Sequence, residues 1–559
     1  MEILSATAEL PHSRRPAGWL APLFLLAIGA CSGERAVERA PAGDGSTGGT
    51  AIVAFNAEMQ AFNPLVNTDL NSIEVNTNML FTPLIQYDDS FEPQPYLAAD
   101  WELEPGGVTF HLNRDVRWHD GQPVTADDVK FTFDLAKTPE TASVLSSVFL
   151  QHVESAEVID SFSIRFDFSH PHARPLDGFW WPPVPKHLLS EVPPAQMIRA
   201  DFNRHPVGSG PFEFVRWDAG ESIAFERNPD FPESLGGPPK LDRLIIRFIT
   251  EATTLLSETL GGRVDVNGSM FAHQAHQVES SANLRVLSYP SREYYYIGWN
   301  TRNAVLRDPR VRRALTMAID RQEIIDALVF GHGQLASSTI APWHPAFTDI
   351  EPLPHDIARA AALLAEAGWE DRDGDGVREN ESGTPFRFTL MTNHENPVRV
   401  DIAQIVQAKL AKIGVAIDVR TLEWQTLISR HRQREFDGVV QSWVLDNFRV
   451  DPFPLFHSSQ ANRPGSYNRS SLQDPRVDDL IEAATRATDD AESRALWADF
   501  SRALQEAQPF TFLMWLDEMA AVSDRLAGVQ MDARGMLVNV SAWWIPADRR
   551  KYAAERGGS

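Results

Sequence analysis

Two hydrophobic periods alternate along this chain. Val108, Phe110 and Leu112 alternate with Thr109, His111 and Asn113, and Ile164, Phe166 and Phe168 repeat the same spacing of two. Successive strand side chains point to opposite faces, so these runs predict strands with one buried face. A helical period takes over at Ile357, Ala360, Ala361 and Leu364. Asp356 precedes that helix as an N-cap acceptor, and Gly368 follows it where a left-handed residue ends a helix cheaply. A second amphipathic helix carries Ile402, Ile405, Val406, Leu410 and Ile413 and stops at Gly414; a third runs from about Val477 to Ala487. Asp308 is placed to cap a helix with Pro309 in its first turn, where a missing N–H does no harm, and a face of Val311, Ala314, Leu315, Ala318 and Ile319. Gly208-Ser209-Gly210-Pro211 reads as a tight turn into a strand from Phe212 to Val215, with positive φ at its glycines. No tandem repeat interrupts this α/β succession, and no clean linker cuts it.

The N-terminus departs from both periods. Arg14 and Arg15 precede an apolar run from Ala17 to Ala30, too short to span a bilayer comfortably and suited to the core of a signal peptide. The run ends Ile28-Gly29-Ala30-Cys31, and Cys31 is the only cysteine of the chain. That ending resembles the lipobox of bacterial lipoproteins, which implies cleavage before Cys31 and a diacylglycerol on its thiol. Ser32 to Thr50 is rich in Gly, Ala, Ser and Pro and reads as a flexible tether.

Composition narrows the function. A chain of 559 residues is long enough for two or three lobes. The 51 basic against 76 acidic residues, a formal charge of −25, argue against nucleic acid, whose phosphates require clustered Lys and Arg.

Several ordered motifs carry a resemblance. They are Pro95-Tyr96-Leu97-Ala98 with Trp101, then Val116-Arg117-Trp118-His119-Asp120-Gly121 and Pro123 to Val129. Next come Pro206 to Phe212 with Glu226-Arg227-Asn228-Pro229, and Asp308 to Leu315 with Ala318 to Arg321. Leu363 to Trp369, Lys412-Ile413-Gly414, Trp443 to Pro452 and Asp474 to Ile481 complete the series. In this order they resemble the extracytoplasmic peptide- and nickel-binding proteins of ABC importers, solute-binding family 5, over about Ala51 to Ile545. The resemblance implies an α/β, two-lobed periplasmic-binding-protein fold of type II-like form, with an extra domain inserted in the first lobe. The implied division is a signal peptide (1–30), a tether (31–50) and a solute-binding region (51–550). Within it, lobe 1 would take 51–81, 208–291 and 511–550, the inserted domain 82–207, and lobe 2 292–510.

The same resemblance directs attention to Trp443-Val444-Leu445-Asp446-Asn447. In peptide-binding relatives a Trp-x-x-Asp here supplies the carboxylate for the peptide's α-ammonium, and a charge-assisted bond in a dry cleft is strong and directional. Asp446, Trp443 and Asn447 of this segment, with Trp424 as a flat, rigid side chain suited to line a cleft, are the expected ligand-binding residues. The other aromatics, Tyr294, Tyr295, Tyr296 and Trp299 among them, are read as core, and Asp451-Pro452 as a turn. Dipeptide-binding relatives carry an Arg for the ligand carboxylate where this chain has Asn393, with Arg399 close by on the predicted helix. That departure favours a longer peptide or another amine-bearing solute. Asp371, Asp373 and Asp375, followed by Gly376, open like a calcium loop. Position twelve is Ser382 and not Glu, so a hairpin turn is the preferred reading, with structural Ca²⁺ as the alternative.

No enzyme motif is present: there is no His-Glu-x-x-His, Gly-x-Ser-x-Gly or Walker loop. His119 and His187 sit in family motifs and read as structural, while His172, His205, His394 and His457 leave a metal-chelate ligand open. The sequence thus points to a binding protein without a cofactor. It is expected to be monomeric, extracytoplasmic, held to a bacterial membrane by lipid, and partnered by a peptide and by ABC permease and ATPase subunits. A receptor for a metal chelate and a hydrolase on a binding-protein shell are the alternatives. The anchor is directly testable. Replacing Cys31 with Ser should move the protein from the membrane to the soluble fraction; a soluble wild type, or a variant still wholly membrane-bound, would refute it.

Overall fold

The computed structural model describes residues 48–445 and 448–551. The strands predicted from the period of two form as Gly107–Leu112 and Ser163–Phe168, adjacent in a four-stranded antiparallel sheet with Ala98–Glu104 and Val153–Asp160. The predicted helices also form. Asp356 caps Ile357–Glu366 by accepting the Arg359 N–H, and Asp308 caps Pro309–Met317 by accepting the Arg310 N–H. Gly368 and Gly414 take positive φ just beyond the ends of Ile357–Glu366 and Pro397–Ala411. The third helix is Pro475–Arg486. No helix among the described residues is long and apolar enough to cross a membrane.

Gly208 and Gly210 serve a different purpose from the one the sequence suggests. Neither has a positive φ. A Cβ on Gly208 would collide with the Leu80 carbonyl oxygen, and one on Gly210 with that of Met79. The Ser209 and Gly210 N–H groups both donate to the Leu80 carbonyl at 2.9 Å. Close backbone approach, not turn geometry, excludes a side chain at these two positions. The strand that follows runs Phe212–Asp218.

One sheet of eleven strands organises the rest. From one edge the order is Ala416–Leu422, Arg387–Asn393, Gly438–Val444, Leu284–Trp299, Phe510–Ser523, Val266–Asn267, Thr50–Phe55, Arg243–Phe248, Ser222–Arg227 and Phe212–Asp218. Gly333–Leu335 joins it by pairing with Phe510–Ser523. Leu284–Trp299 and Phe510–Ser523 run antiparallel from Leu284↔Ser523 to Gly298↔Phe510, with register shifts between Pro290 and Tyr294 and between Tyr295 and Tyr296. On one side of the first irregularity Ala520 and Val522 join a core with Val53, Phe110, Phe166 and Phe225. On the other, Phe512 to Trp515 enter cores with Ile297, Leu315, Leu410 and Phe500. The chain therefore passes between the two sets of cores near 516–518. The boundary expected at 510/511 falls inside a strand whose 14 residues serve both sides.

The fold also begins before Ala51. Gly48 N–H donates to the Lys240 carbonyl at 2.7 Å, Gly49 N–H to Asp242 at 2.9 Å, and Thr50 opens the first strand. The last residues assigned to the tether are thus part of the fold. That strand is secured by a buried ion pair. Arg525 Nε donates to Asp265 Oδ1 at 2.5 Å and its Nη2 both to Asp265 Oδ2 and to the Thr50 carbonyl, while Ile52 N–H donates to Asp265 Oδ2 at 2.9 Å. Both side chains are almost inaccessible, at 6% and 2%. Removing one partner leaves a buried charge uncompensated, which costs about 3–5 kcal/mol. Asp265→Ala should lower unfolding stability in urea by that amount; a loss under about 1 kcal/mol would show that the pair is dispensable.

Candidate functional site

Trp443 lies near the end of Gly438–Val444, directly opposite Tyr294 on Leu284–Trp299. Its ring stands edge-on to Tyr467 at 5.2 Å. Beside it opens a cavity of about 350 Å³. One wall comes from Val144, Val148 and Gln151; the opposite wall comes from Ile340, Leu445 and Leu455, with Tyr294 and Tyr467 alongside. The cavity thus lies between the segment carrying the four-stranded sheet and the segment after Gly438–Val444.

The two walls are held together at Phe448–Asp451. Phe448, 1% exposed, fills a box of Tyr87, Trp180, Phe91 and Trp343 at centroid distances of 4.9, 4.8, 5.3 and 5.8 Å. Arg449 Nη2 donates to the Val148 carbonyl at 3.2 Å, and Gln151 Nε2 donates to Asp451 Oδ2 at 2.7 Å. Asp451 therefore does more than turn the chain. Ala346 N–H donates to His344 Nδ1 at 2.9 Å, so the imidazole proton sits on Nε2, which donates to the Phe448 carbonyl at 2.6 Å. Burial pushes the His344 pKa down to about 4, against the opposing pull of that last bond.

The second tryptophan connects to the first through polar groups. Trp424 opens the helix Trp424–Gln433 and is 37% exposed. Its N–H donates to Glu395 Oε1 at 3.1 Å, and Asn393 Nδ2 donates to Glu395 Oε2 at 3.0 Å. Arg399, buried on Pro397–Ala411, donates from Nη1 to Asn393 Oδ1 at 3.0 Å and from Nη2 to Ser442 Oγ, next to Trp443. Its guanidinium lies 5.6 Å over the Trp424 ring and 5.8 Å over that of Tyr295. A cation thus stands beside Asn393 although it comes from the helix. Burial raises the nearby Glu293 carboxyl, with Ser442 and Arg399 opposing it.

Asp446 and Asn447 lie outside the described residues, as does Cys31. The flanking Leu445 and Phe448 both line the cavity. Tyr294, Tyr295, Tyr296 and Trp299 are buried, as expected of core. His119 Nε2 donates to the Gly210 carbonyl at 3.0 Å, and His187 meets Asp120 at 2.7 Å, both structural. His205, His394 and His457 pair with Asp201, Glu395 and Glu482. His172 is buried and bonds the His170 carbonyl. Asp371, Asp373 and Asp375 form the one group of three or more His, Cys, Asp or Glu among the described residues whose ligand atoms lie within 4.8 Å. All three are exposed and already accept backbone N–H groups of Gly374, Gly376, Asp375 and Val377. Phe448, Arg449, Gln151 and Tyr467 carried no periodic signal; only their place in or near a motif could have marked them.

Two segments closing over an interior cavity define a solute-binding protein of the two-lobed class. Residues 92–465 match the family described as bacterial extracellular solute-binding proteins, family 5 Middle, and the chain belongs to that family. It is 32% identical over 545 residues to the oligopeptide-binding protein AppA of Bacillus subtilis, covering 94% of this chain and 98% of that one. The structure of AppA in complex with a nonapeptide superposes with a TM-score of 0.74 at 30% identity, covering 89% of this chain and 99% of that chain. NikZ of Campylobacter jejuni in complex with Ni(L-His) gives 0.75 at 27%, with coverage of 89% and 99%.

The His344 geometry sets a pH dependence. An unfolded histidine titrates near about 6.5, so acidification below that value protonates the unfolded chain while the folded ring stays neutral down to about 4. The stabilising share of His344 is full above about 6.5 and declines as pH falls toward 4. By pH 5 the loss reaches about 2 kcal/mol. The stability gap between wild type and His344→Gln should therefore shrink by about that much between pH 7.5 and 5 in parallel denaturant titrations; a constant gap would rule out the lowered pKa.

Proposed function

We propose that this chain is the extracytoplasmic substrate-binding component of an ABC importer, capturing a peptide longer than a dipeptide and delivering it to a membrane permease. The observation that carries the reading is the interior cavity beside Trp443, closed on two sides by segments far apart in sequence. Likeness to an oligopeptide-binding protein along nearly the whole chain supports it. The Gln151–Asp451 and Arg449–Val148 bonds and the seat of Phe448 span the two walls. In this reading they belong to a closed state, and a ligand touching both walls favours closure by its differential affinity. The protein acts as a lipid-anchored monomer at the outer face of a membrane, through Cys31. Trp443, Asn447 and Trp424 contact the ligand, and Asp446 receives its α-ammonium. Arg399, held beside Asn393, supports recognition of an anionic group within the ligand. The metal-chelate reading has less support along the chain: His205, His394 and His457 pair with carboxylates, and His172 bonds the His170 carbonyl.

Asp446→Asn separates this proposal from a general loss of shape. Removing one partner of a desolvated charge pair costs about 2–5 kcal/mol. Affinity for a free peptide should fall roughly thirtyfold or more, at about 1.4 kcal/mol per factor of ten. The N-acetylated peptide should lose almost nothing, having no ammonium to lose. Calorimetry on both ligands with both proteins closes the cycle; equal losses would sink the role of Asp446.

A further inference from the structure

A smaller cavity of about 60 Å³ lies along the same seam, with room for a few waters at roughly 10–15 Å³ each. Three histidines cluster on one side of it. The ring of His152 lies 4.9 Å from those of His170 and His172, and these two are 5.8 Å apart. Ser169 ties the group together, its N–H and Oγ both donating to the His152 carbonyl, at 2.9 and 3.3 Å. His172 Nδ1–H donates to the His170 carbonyl at 3.0 Å, which leaves Nε2 as the nitrogen that can take a proton. The cluster is not a preformed metal site. Among the described residues only Asp371, Asp373 and Asp375 bring three ligand atoms within 4.8 Å.

The three rings stand where the two walls meet. Next to His152, Gln151 donates to Asp451; next to His172, Ala173 N–H donates to the Thr485 carbonyl at 3.3 Å. His152 and His172 share the cavity with Arg449, Asp451 and Thr485 of the opposite wall. The charges that act on His152 are positive: Arg449 from across the seam, and Lys137 at the end of the helix Ala126–Lys137. The carboxylates around the cavity are committed. Asp451 accepts from Gln151 and lies 3.7 Å from Arg449, while Glu92 and Asp177 pair with Arg174 at 3.2 and 2.9 Å. Asp490 and Arg494 are exposed at its rim, and His344, with its proton on Nε2, lines the cavity too. His187, His205, His394 and His457 each have a carboxylate partner; among the described residues none of the three clustered rings does. A proton here adds a cation beside Arg449 where hydration is already reduced. Burial, with Arg449 next in effect, pushes the His152 pKa down to about 3. Burial also lowers that of His172, against the pull of its bond to the His170 carbonyl.

We propose that this cluster is a pH switch on closure: with the three imidazoles neutral the walls close, and when mild acid protonates them the walls part. The inference rests on the closed-state reading above and adds regulation to it. In the open form the rings are hydrated, lie away from Arg449 and titrate near about 6.5. In the closed form they titrate lower, so the open form binds more protons. Closure is therefore fully favoured above about 6.5 and is progressively lost as pH falls toward about 3. Each linked imidazole weakens it by up to about tenfold per pH unit in that window.

Hydrogen exchange read by mass spectrometry on the full chain, as purified, tests this without a named ligand, because the Ala173 N–H is bonded across the seam. Rates are taken relative to the intrinsic rate at each pH. Protection at Ala173 should fall at least tenfold from pH 7 to pH 5 in the wild type, and less than about threefold in the double variant His152→Gln, His172→Gln. The strands Gly107–Leu112 and Ser163–Phe168 should stay protected throughout, showing that the segment carrying the cluster is folded. An equal fall in both proteins, or no fall in the wild type, would overturn the switch and leave closure standing. A wild type that loses the strands together with Ala173 is unfolding, and that result would overturn it as well. Should the double variant alone fail to protect the strands, His152→Gln decides: a fall as large as the wild type's rejects the switch, and a smaller one supports it. No protection at Ala173 at pH 7 would overturn the closed-state reading and the switch together.

Discussion

The fold depends on one pairing. Leu284–Trp299 and Phe510–Ser523 lie side by side near the middle of the sheet order, and every strand on one side reaches those on the other through them. Each strand is long enough to enter cores on both sides, so neither half can be assembled without the other half's backbone. The register shift between Pro290 and Tyr294 falls where the chain passes from one set of cores to the other. A bulge there bends and twists the pair without abandoning it, which permits two halves to share one sheet and still face each other at an angle.

The site uses that arrangement. A cavity between two rigid walls survives only if its polar groups are satisfied or reserved for a ligand. The polar groups that join these walls are satisfied. Arg449, Asp451, Gln151 and His344 spend their hydrogen bonds on one another's segments, joining the walls. Phe448 adds burial to this polar seam, seated among four aromatic rings at 4.8–5.8 Å. Tyr294, opposite Trp443, is fully buried, and its hydroxyl has no hydrogen-bond partner.

What was legible in the sequence was what local chemistry determines. Asp308 and Asp356 cap their helices because a short acceptor before an apolar stripe satisfies the free N–H groups of the first turn, whatever the rest of the chain does. The ordered motifs made the family legible for the same reason: they build turns, caps and close contacts. Misreadings arose where the cause was distant. Gly208 and Gly210 looked like turn glycines, and the helical turn they meet, at Met79 and Leu80, is more than a hundred residues away. The resemblance put the passage between lobes at 510/511, and a strand's alternation does not reveal that the two ends of Phe510–Ser523 enter different cores. Arg399 seemed misplaced on a helix, but an arginine side chain is long enough to reach Asn393 and Ser442 together. The cavity itself left no periodic trace, because its walls come from around 144–151, 340 and 443–467 and none has a spacing that announces the others.

The crossing and the cavity are also joined directly, which bears on how binding could be coupled to shape. Tyr294 and Trp443 face each other across adjacent strands at the end of the register irregularity, and Leu445 N–H donates to the Arg292 carbonyl at 2.9 Å, inside it. Trp343 donates to the Ser291 carbonyl at 3.0 Å and stacks on Phe91 at 4.5 Å, so the same irregular turn of strand also touches the opposite wall. A change in the angle between the halves must alter φ and ψ where the pairing is already broken, between Pro290 and Tyr294, because regular ladder on either side resists it. Those residues carry the floor of the cavity on one flank and the Trp343 contact on the other. Trp443, in the cavity wall, is therefore only one strand away from the segment where that angle would change.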